Sequence, residues 1–154
     1  MKLLRTILIL NTILFFQATF GQNIYPNKME GCNTQHFALE GDSISAKKNP
    51  KELIRLLTKH IKPIQLVKAK GVLKVQIIAY EDGSSCLMSY ENKTNLKTAD
   101  LNMAATKETI DTELVWDAVP KNVSPMIELY FDHGAITLRR MGINGKKGLH
   151  ELSE

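Results

Sequence analysis

This chain of 154 residues lacks most of the features that indicate a particular biochemical activity. Its formal net charge is only +4, and it holds one tryptophan and two cysteines. The basic residues are dispersed along the chain, without an arginine-rich helix or a stripe of alternating basic and aromatic residues. Nucleic-acid binding needs such a concentration of positive charge, so we expect no nucleic-acid partner.

The motifs of common catalytic sites are also absent from the sequence. No nucleotide-binding glycine motif occurs, and Gly83-Ser84-Ser85-Cys86 lacks the nucleophile-elbow pattern. The four histidines stand too far apart along the chain for the usual metal-binding spacings. They are His36, His60, His133 and His150. We therefore predict no catalytic residues, no cofactor and no metal site.

The first residues have the layout of a secretory signal peptide. Lys2 and Arg5 precede an apolar run, Ile7 to Phe16, and small residues follow up to Gly21. The run is shorter than the roughly 20 apolar residues that a membrane span needs, and Asn11 interrupts it. We predict cleavage after Gly21, export to the periplasm or the extracellular space, and no permanent membrane span afterwards. An uncleaved anchor is the alternative.

The two cysteines, Cys32 and Cys86, would both remain after cleavage. Two cysteines of one exported chain can pair, because disulfides persist in oxidising compartments. Sequence alone does not show whether their α-carbons come within bridging distance. A Cys32–Cys86 disulfide and two unpaired buried thiols are therefore both open.

The length suits one domain, and composition divides the chain into four segments. After the signal peptide, residues 1–21, an irregular lead-in covers residues 22–46, where proline and glycine interrupt any periodicity. Residues 47–141 carry the regular apolar patterns and form the predicted α+β domain. Three glycines among charges then indicate a flexible tail over residues 142–154.

Local patterns predict a helix followed by a hairpin. Asn49 can cap a helix that Pro50 begins, an apolar face continues to Ile61, and Pro63 ends it. From Gly71 apolar residues alternate with a period of about two, which is typical of a strand. Asp82-Gly83 is a hairpin-turn signal, so Cys86 to Tyr90 should return antiparallel.

The second half repeats this scheme with a longer helix. Helical spacing extends from about Thr98 to Trp116, and strands are predicted at Met126 to Phe131 and Ala135 to Arg140. The expected fold is α+β in α-β-β-α-β order, an antiparallel sheet of three to four strands with two helices on one face. Trp116 and Tyr130 are expected to pack in the core, with partner anchoring as the alternative.

This order resembles the TonB C-terminal domain family, particularly the forms in secreted and envelope proteins of Bacteroidetes-like bacteria. The resemblance covers roughly Pro50 to Phe131. The matching pieces are LIRLLTKHIKP from Leu53, GVLKVQIIAYEDG from Gly71, the helix from Leu101 to Trp116, and MIELYF from Met126. The family's energy transducers also carry a membrane anchor and a proline-rich spacer, which these 154 residues do not contain.

The resemblance implies a mode of binding, because in that family the last strand accepts a partner by strand addition. The corresponding edge strand here consists of Met126, Ile127, Glu128, Leu129, Tyr130 and Phe131. It predicts a periplasmic or envelope module that binds a protein or peptide partner.

Two rival interpretations arise from other residues. A small secreted enzyme would need scattered residues such as Cys32, His36 and Asp42 to meet in one pocket. A structural envelope protein would have its sheet edge covered by the lead-in, residues 22–46.

Overall fold

The structure is a computed structural model that describes residues 23–153. The predicted signal peptide and its cleavage after Gly21 lie outside the described residues. The described chain is a mixed α+β fold, as the sequence predicts, but with more strands than the three or four expected. Within these residues no helix combines the length and the apolarity required to cross a membrane.

Within residues 23–153, eight strands form one sheet: β1 Asn27–Lys28, β2 Ala38–Leu39, β3 Lys70–Ala79, β4 Ser85–Thr94, β5 Val123–Ser124, β6 Met126–Asp132, β7 Ala135–Asn144 and β8 Gly148–Glu151. Their order is β1-β4-β3-β6-β7-β8, with β2 and β5 attached at the end of β3. Pairing along this path is antiparallel, whereas β2 and β5 run parallel to each other.

The helical segments pack on one face of the sheet. They are α1 Pro50–Thr58, α2 Pro63–Lys68, α3 Thr98–Leu101 and α4 Met103–Glu113. The Asn49 side chain accepts a hydrogen bond from the Lys51 amide at 2.9 Å, which is the predicted cap of α1. The helix ends at Thr58, before the predicted stop at Pro63, and Pro63 instead begins α2.

The long helix expected from Thr98 to Trp116 is divided. Asn102 has a left-handed backbone with φ +47°, which ends α3 and starts α4. Asparagine adopts this conformation more readily than most residues. The division turns Leu101 and Met103 both inward, where they are buried beside Ile110.

The predicted hairpin from Gly71 to Tyr90 is present as β3 and β4. Gly83 supplies the positive φ of the turn, +85°. Hydrogen bonds from the side chain and the amide of Ser84 hold the pKa of the Asp82 carboxyl below its ordinary value. A bulge between Gln76 and Ile77 shifts the pairing, so β4 does not keep the regular alternation that the sequence suggests.

The main core lies between the helices and the sheet. It contains Leu53, Leu57, Leu73, Ile77, Ile110, Ile127 and Leu129, all at most 1% exposed. The lead-in lies on the opposite face, where Phe37 packs against Ile78 and Met88. Both faces of the sheet are therefore covered over part of their area.

The flexible tail expected over residues 142–154 is a hairpin in its described part. β7 continues to Asn144, and β8 pairs with it over Gly148–Glu151. Leu152 is 6% exposed, and its amide donates to the Arg140 carbonyl at 2.8 Å. Glycine marked these turns, but backbone pairing between β7 and β8 and the burial of Leu152 order the segment.

Candidate functional site

The prediction that Met126 to Phe131 form an edge strand is wrong, because this strand lies inside the sheet. These residues belong to β6, which pairs with β3 on one side and with β7 on the other. Met126, Ile127 and Leu129 are fully buried. β6 has no free edge because the following hairpin, β7 and β8, extends the sheet beyond it.

The free edge lies one strand further out, on β7. β8 covers only Met141–Asn144, so Ala135–Arg140 have a strand neighbour on the β6 side alone among the described residues. The Arg140 carbonyl faces away from β6, toward Leu152. Because backbone groups alternate in direction along a strand, the amides and carbonyls of Ile136 and Leu138 face that same open side.

A groove of about 930 Å³ runs beside this edge. Leu53 of α1 and Leu138 of β7 supply apolar surface, and Ile44 and Leu152 bound it. Its charged lining residues are Lys47, Lys48, Asp117, Arg139, Arg140 and Glu151. The groove therefore combines an apolar surface with an excess of basic side chains.

The edge on β4 is closed over residues 87–90 by other parts of the chain. β1 pairs with Ser89 and Tyr90. The Leu87 amide donates to Asp111 at 2.8 Å, and its carbonyl accepts from Lys107 at 3.1 Å. Side chains that occupy backbone groups in this way protect a sheet edge against pairing.

A buried ion pair attaches the lead-in to the start of the groove. Arg140 donates to the Glu40 carboxylate at 2.5 Å and to the Ala46 carbonyl at 3.0 Å. Glu40 and Arg140 are only 1% and 6% exposed. The guanidinium also lies 5.4 Å from the Trp116 ring centre. This pair fixes one wall of the groove relative to β7.

Trp116 and Tyr130 have different surroundings. Trp116 is 4% exposed and belongs to the main core, as expected. Tyr130 is half-buried on the opposite face, where its hydroxyl donates to the Glu128 carboxylate and Arg139 lies 4.5 Å from its ring centre. The bond to Glu128 is the main cause that raises the pKa of the Tyr130 hydroxyl.

The two cysteines form a disulfide, Cys32–Cys86, with α-carbons 5.6 Å apart. This bond removes the free thiol that the enzyme interpretation requires. Asp42 contacts Lys147 and His150 in the β7–β8 region, away from Cys32. The rival interpretation, a catalytic pocket of Cys32, His36 and Asp42, therefore loses the thiol on which it depends.

No cluster of three or more histidine, cysteine or carboxylate side chains that could hold a metal ion occurs in residues 23–153. Tyr25 is a buried polar group of the opposite face, and its hydroxyl has no hydrogen-bond partner among the described residues. Burial, with the nearby charges of Glu128 and Glu91, raises the pKa of that hydroxyl.

Comparison with protein-family models, with curated proteins and with solved structures finds no match for this chain.

Sequence reasoning missed the two places that carry the site chemistry, which are the β7 edge and the surroundings of the disulfide. For the edge, the alternation of apolar and polar residues over Ala135 to Arg140 predicts a strand. No sequence pattern indicates that this strand continues through Gly142. For the disulfide, the i, i+4 spacing of Lys107 and Asp111 was a usable signal for a helical ion pair. Nothing in that spacing indicated that Cys86 lies beside it.

Proposed function

We propose that this protein is an exported envelope module that binds an extended segment of a protein partner as an additional strand on β7. The observation that carries the proposal is the open side of residues 135–139, next to a groove. Backbone amides and carbonyls at a sheet edge bind extended peptides through ladder hydrogen bonds, and side pockets add specificity.

Comparison of the sheet edges favours β7. The β4 edge is occupied over residues 87–90 by β1 and by the side chains of Lys107 and Asp111, which leaves only residues 91–94 of that strand. β8 is four residues long, and very short edge strands are a common protection against pairing. β7 offers a longer edge, and this edge adjoins the groove.

The lining of the groove defines the chemistry of the partner. Alternate side chains of an added strand would enter the groove beside Leu53 and Leu138, so we expect apolar residues there. Lys48, Arg139 and Arg140 of the lining are paired with carboxylates, whereas Lys47 forms no ion pair among the described residues and its charge is left for a partner. The partner segment is therefore expected to alternate apolar residues with acidic ones.

The TonB C-terminal resemblance remains part of this proposal. The order of β3, β4, α4 and β6 along the chain, with β3 and β4 as a hairpin, supports this part of the proposal. In that family the last strand accepts the partner. Here β7 and β8 come after the corresponding strand, β6, and the proposed binding edge moves outward by one strand.

Export rests on the signal-peptide pattern at Lys2 to Gly21. The Cys32–Cys86 disulfide supports it, because such bonds persist in the periplasm and outside the cell.

A peptide titration followed by NMR tests the binding mode. The probe is a synthetic eight-residue peptide that alternates valine with glutamate, and its control carries proline at the alternate positions that must donate to β7. We expect the amides of Ile136 and Leu138 to shift with the first peptide and not with the second. Shifts confined to other strands, or equal shifts with both peptides, would contradict the proposal.

A chain extension supplies a matched competitor. Since β8 pairs Met141 with Glu151, residues added after Glu154 would continue along Thr137 and Ile136. An added Thr-Val-Thr-Val should occupy the edge and abolish peptide binding, whereas Gly-Ser-Gly-Ser should not. Retention of full binding by the Thr-Val-Thr-Val variant would remove β7 as the binding edge.

A structural envelope protein is the second candidate. It is favoured by the lead-in, which pairs with β4 through β1 and buries Tyr25 and Phe37 on the sheet. This candidate predicts no binding at β7, so the same titration distinguishes the two.

A further inference from the structure

A lysine side chain lies directly beside the Cys32–Cys86 disulfide. Lys107 Nζ lies 3.2 Å from Cys86 Sγ and 3.7 Å from Cys32 Sγ. The side chain of Lys107 is only 17% exposed. An ammonium group withdrawn from water acts on a nearby charge with little screening, so its effect on these sulfur atoms is strong.

The disulfide is also accessible from one side. Cys86 is 6% exposed, whereas Cys32 is half-buried. An open hollow of about 630 Å³ lies beside Cys86 and Asp111, but Cys32 is not among its lining residues. The greater exposure of Cys32 is what makes it the sulfur that a small thiolate attacks, and Cys86 is then the sulfur that leaves.

Charge at the leaving sulfur governs this reaction. A thiol of lower pKa leaves faster, and a neighbouring lysine favours the thiolate. Asp111 acts in the opposite direction, since its carboxylate lies 3.6 Å from Cys86 Sγ. Lys107 pairs with Asp111 at 2.7 Å and so offsets this repulsion as well.

We propose that Cys32–Cys86 is a thiol–disulfide exchange site in which Lys107 stabilises the thiolate of Cys86, and that its reductant is a dithiol. The reductant thiolate bonds to Cys32 Sγ while the Sγ–Sγ bond breaks, and the electron pair passes to Cys86 Sγ. The second thiol of the reductant then attacks the mixed disulfide and releases Cys32. Two electrons and two protons pass to the protein, and the reductant leaves as a disulfide.

Reduction of the disulfide would change how the lead-in is attached to the sheet. The bond ties the segment between β1 and Phe37 to β4, where Met29 donates to the Met88 carbonyl at 2.8 Å. Reduction removes that covalent tie but leaves these noncovalent contacts. The site is separate from the β7 edge, so it stands or fails independently of peptide binding.

A redox equilibrium of the full chain tests the role of Lys107. The protein is equilibrated with mixtures of reduced and oxidised dithiothreitol, quenched with acid, alkylated, and its reduced fraction is measured by mass spectrometry. Lys107→Met should require about tenfold more reduced reagent for half-reduction, because a stabilisation of the thiolate is lost. Lys107→Arg keeps the charge and should shift the midpoint by less than about threefold.

Asp111→Asn should shift the redox midpoint in the direction opposite to Lys107→Met. Removal of its negative charge should make the disulfide easier to reduce, whereas a merely structural role would move both variants in the same direction. Lys59→Met removes an exposed lysine paired with Glu113 and serves as the control for net charge.

If Lys107→Met does not fold, Asp111→Asn decides alone, since easier reduction supports the proposal and harder reduction overturns it. A Lys107→Met midpoint within about threefold of the wild type, or equal to that of Lys59→Met, also overturns it.

Discussion

At the scale of single residues, the buried pair Glu40–Arg140 sets the position of the lead-in against β7. Arg140→Met would leave the Glu40 carboxylate buried without its cation, and we expect a loss of about 3 to 5 kcal/mol in the free energy of unfolding. Urea denaturation measures this loss. Lys147→Met is the matched control, because the Lys147–Asp42 pair is exposed and its loss should cost less than about 1 kcal/mol. Equal losses in the two variants would contradict a structural role for the buried pair.

Gly142 tests whether the end of the chain is ordered as a hairpin. A Cβ at this position would lie 2.1 Å from the Gly41 carbonyl oxygen, so β7 and the lead-in approach too closely for alanine. Gly142→Ala should lower the free energy of unfolding by about 1 to 3 kcal/mol. Gly145→Ala meets no atom within 4 Å, and its effect should stay within about 0.5 kcal/mol. Two neutral substitutions in urea denaturation would instead indicate the flexible tail that the glycines suggest.

At the scale of the elements, sequence predicted the features that depend on near neighbours in the chain. The cap at Asn49, the turn at Asp82-Gly83 and the strands of the first hairpin all arise from local residue chemistry. The division of the second helix at Asn102 was missed because the apolar spacing continues across it. A bulge such as that between Gln76 and Ile77 has no comparable local signal.

The candidate site depended on pairing between distant segments, which local patterns do not determine. The strand at Met126 to Phe131 was predicted with nearly correct bounds, yet its place in the sheet was wrong. Whether a strand is central or at an edge depends on the next segments of the chain, here the apolar residues of β7 and β8. Leu138 and Leu152, which now bound the groove, lie in or near the segment that glycines marked as irregular.

At the scale of the whole molecule, the disulfide joins the lead-in to the sheet across 54 residues of chain. Replacement of both cysteines by serine frees the unfolded chain from this loop, and the expected loss in the free energy of unfolding is about 4 kcal/mol, an upper figure. Thermal and urea unfolding under non-reducing conditions would measure it. Limited proteolysis should then cut the segment between Met29 and Phe37 first. Unchanged stability, or first cleavage in β7, would contradict the role assigned to the bond.

The central claim is that the open side of β7 accepts an extended peptide, and hydrogen exchange tests it residue by residue. In the free protein, the amides of Ile136 and Leu138 should exchange quickly, whereas those of Thr137 and Arg139, which face β6, should exchange slowly. Addition of the alternating valine–glutamate peptide at millimolar concentration should slow the first pair and leave the second unchanged. Equal protection of all four amides in the free protein, or rapid exchange of Ile136 and Leu138 with the peptide present, would contradict the account.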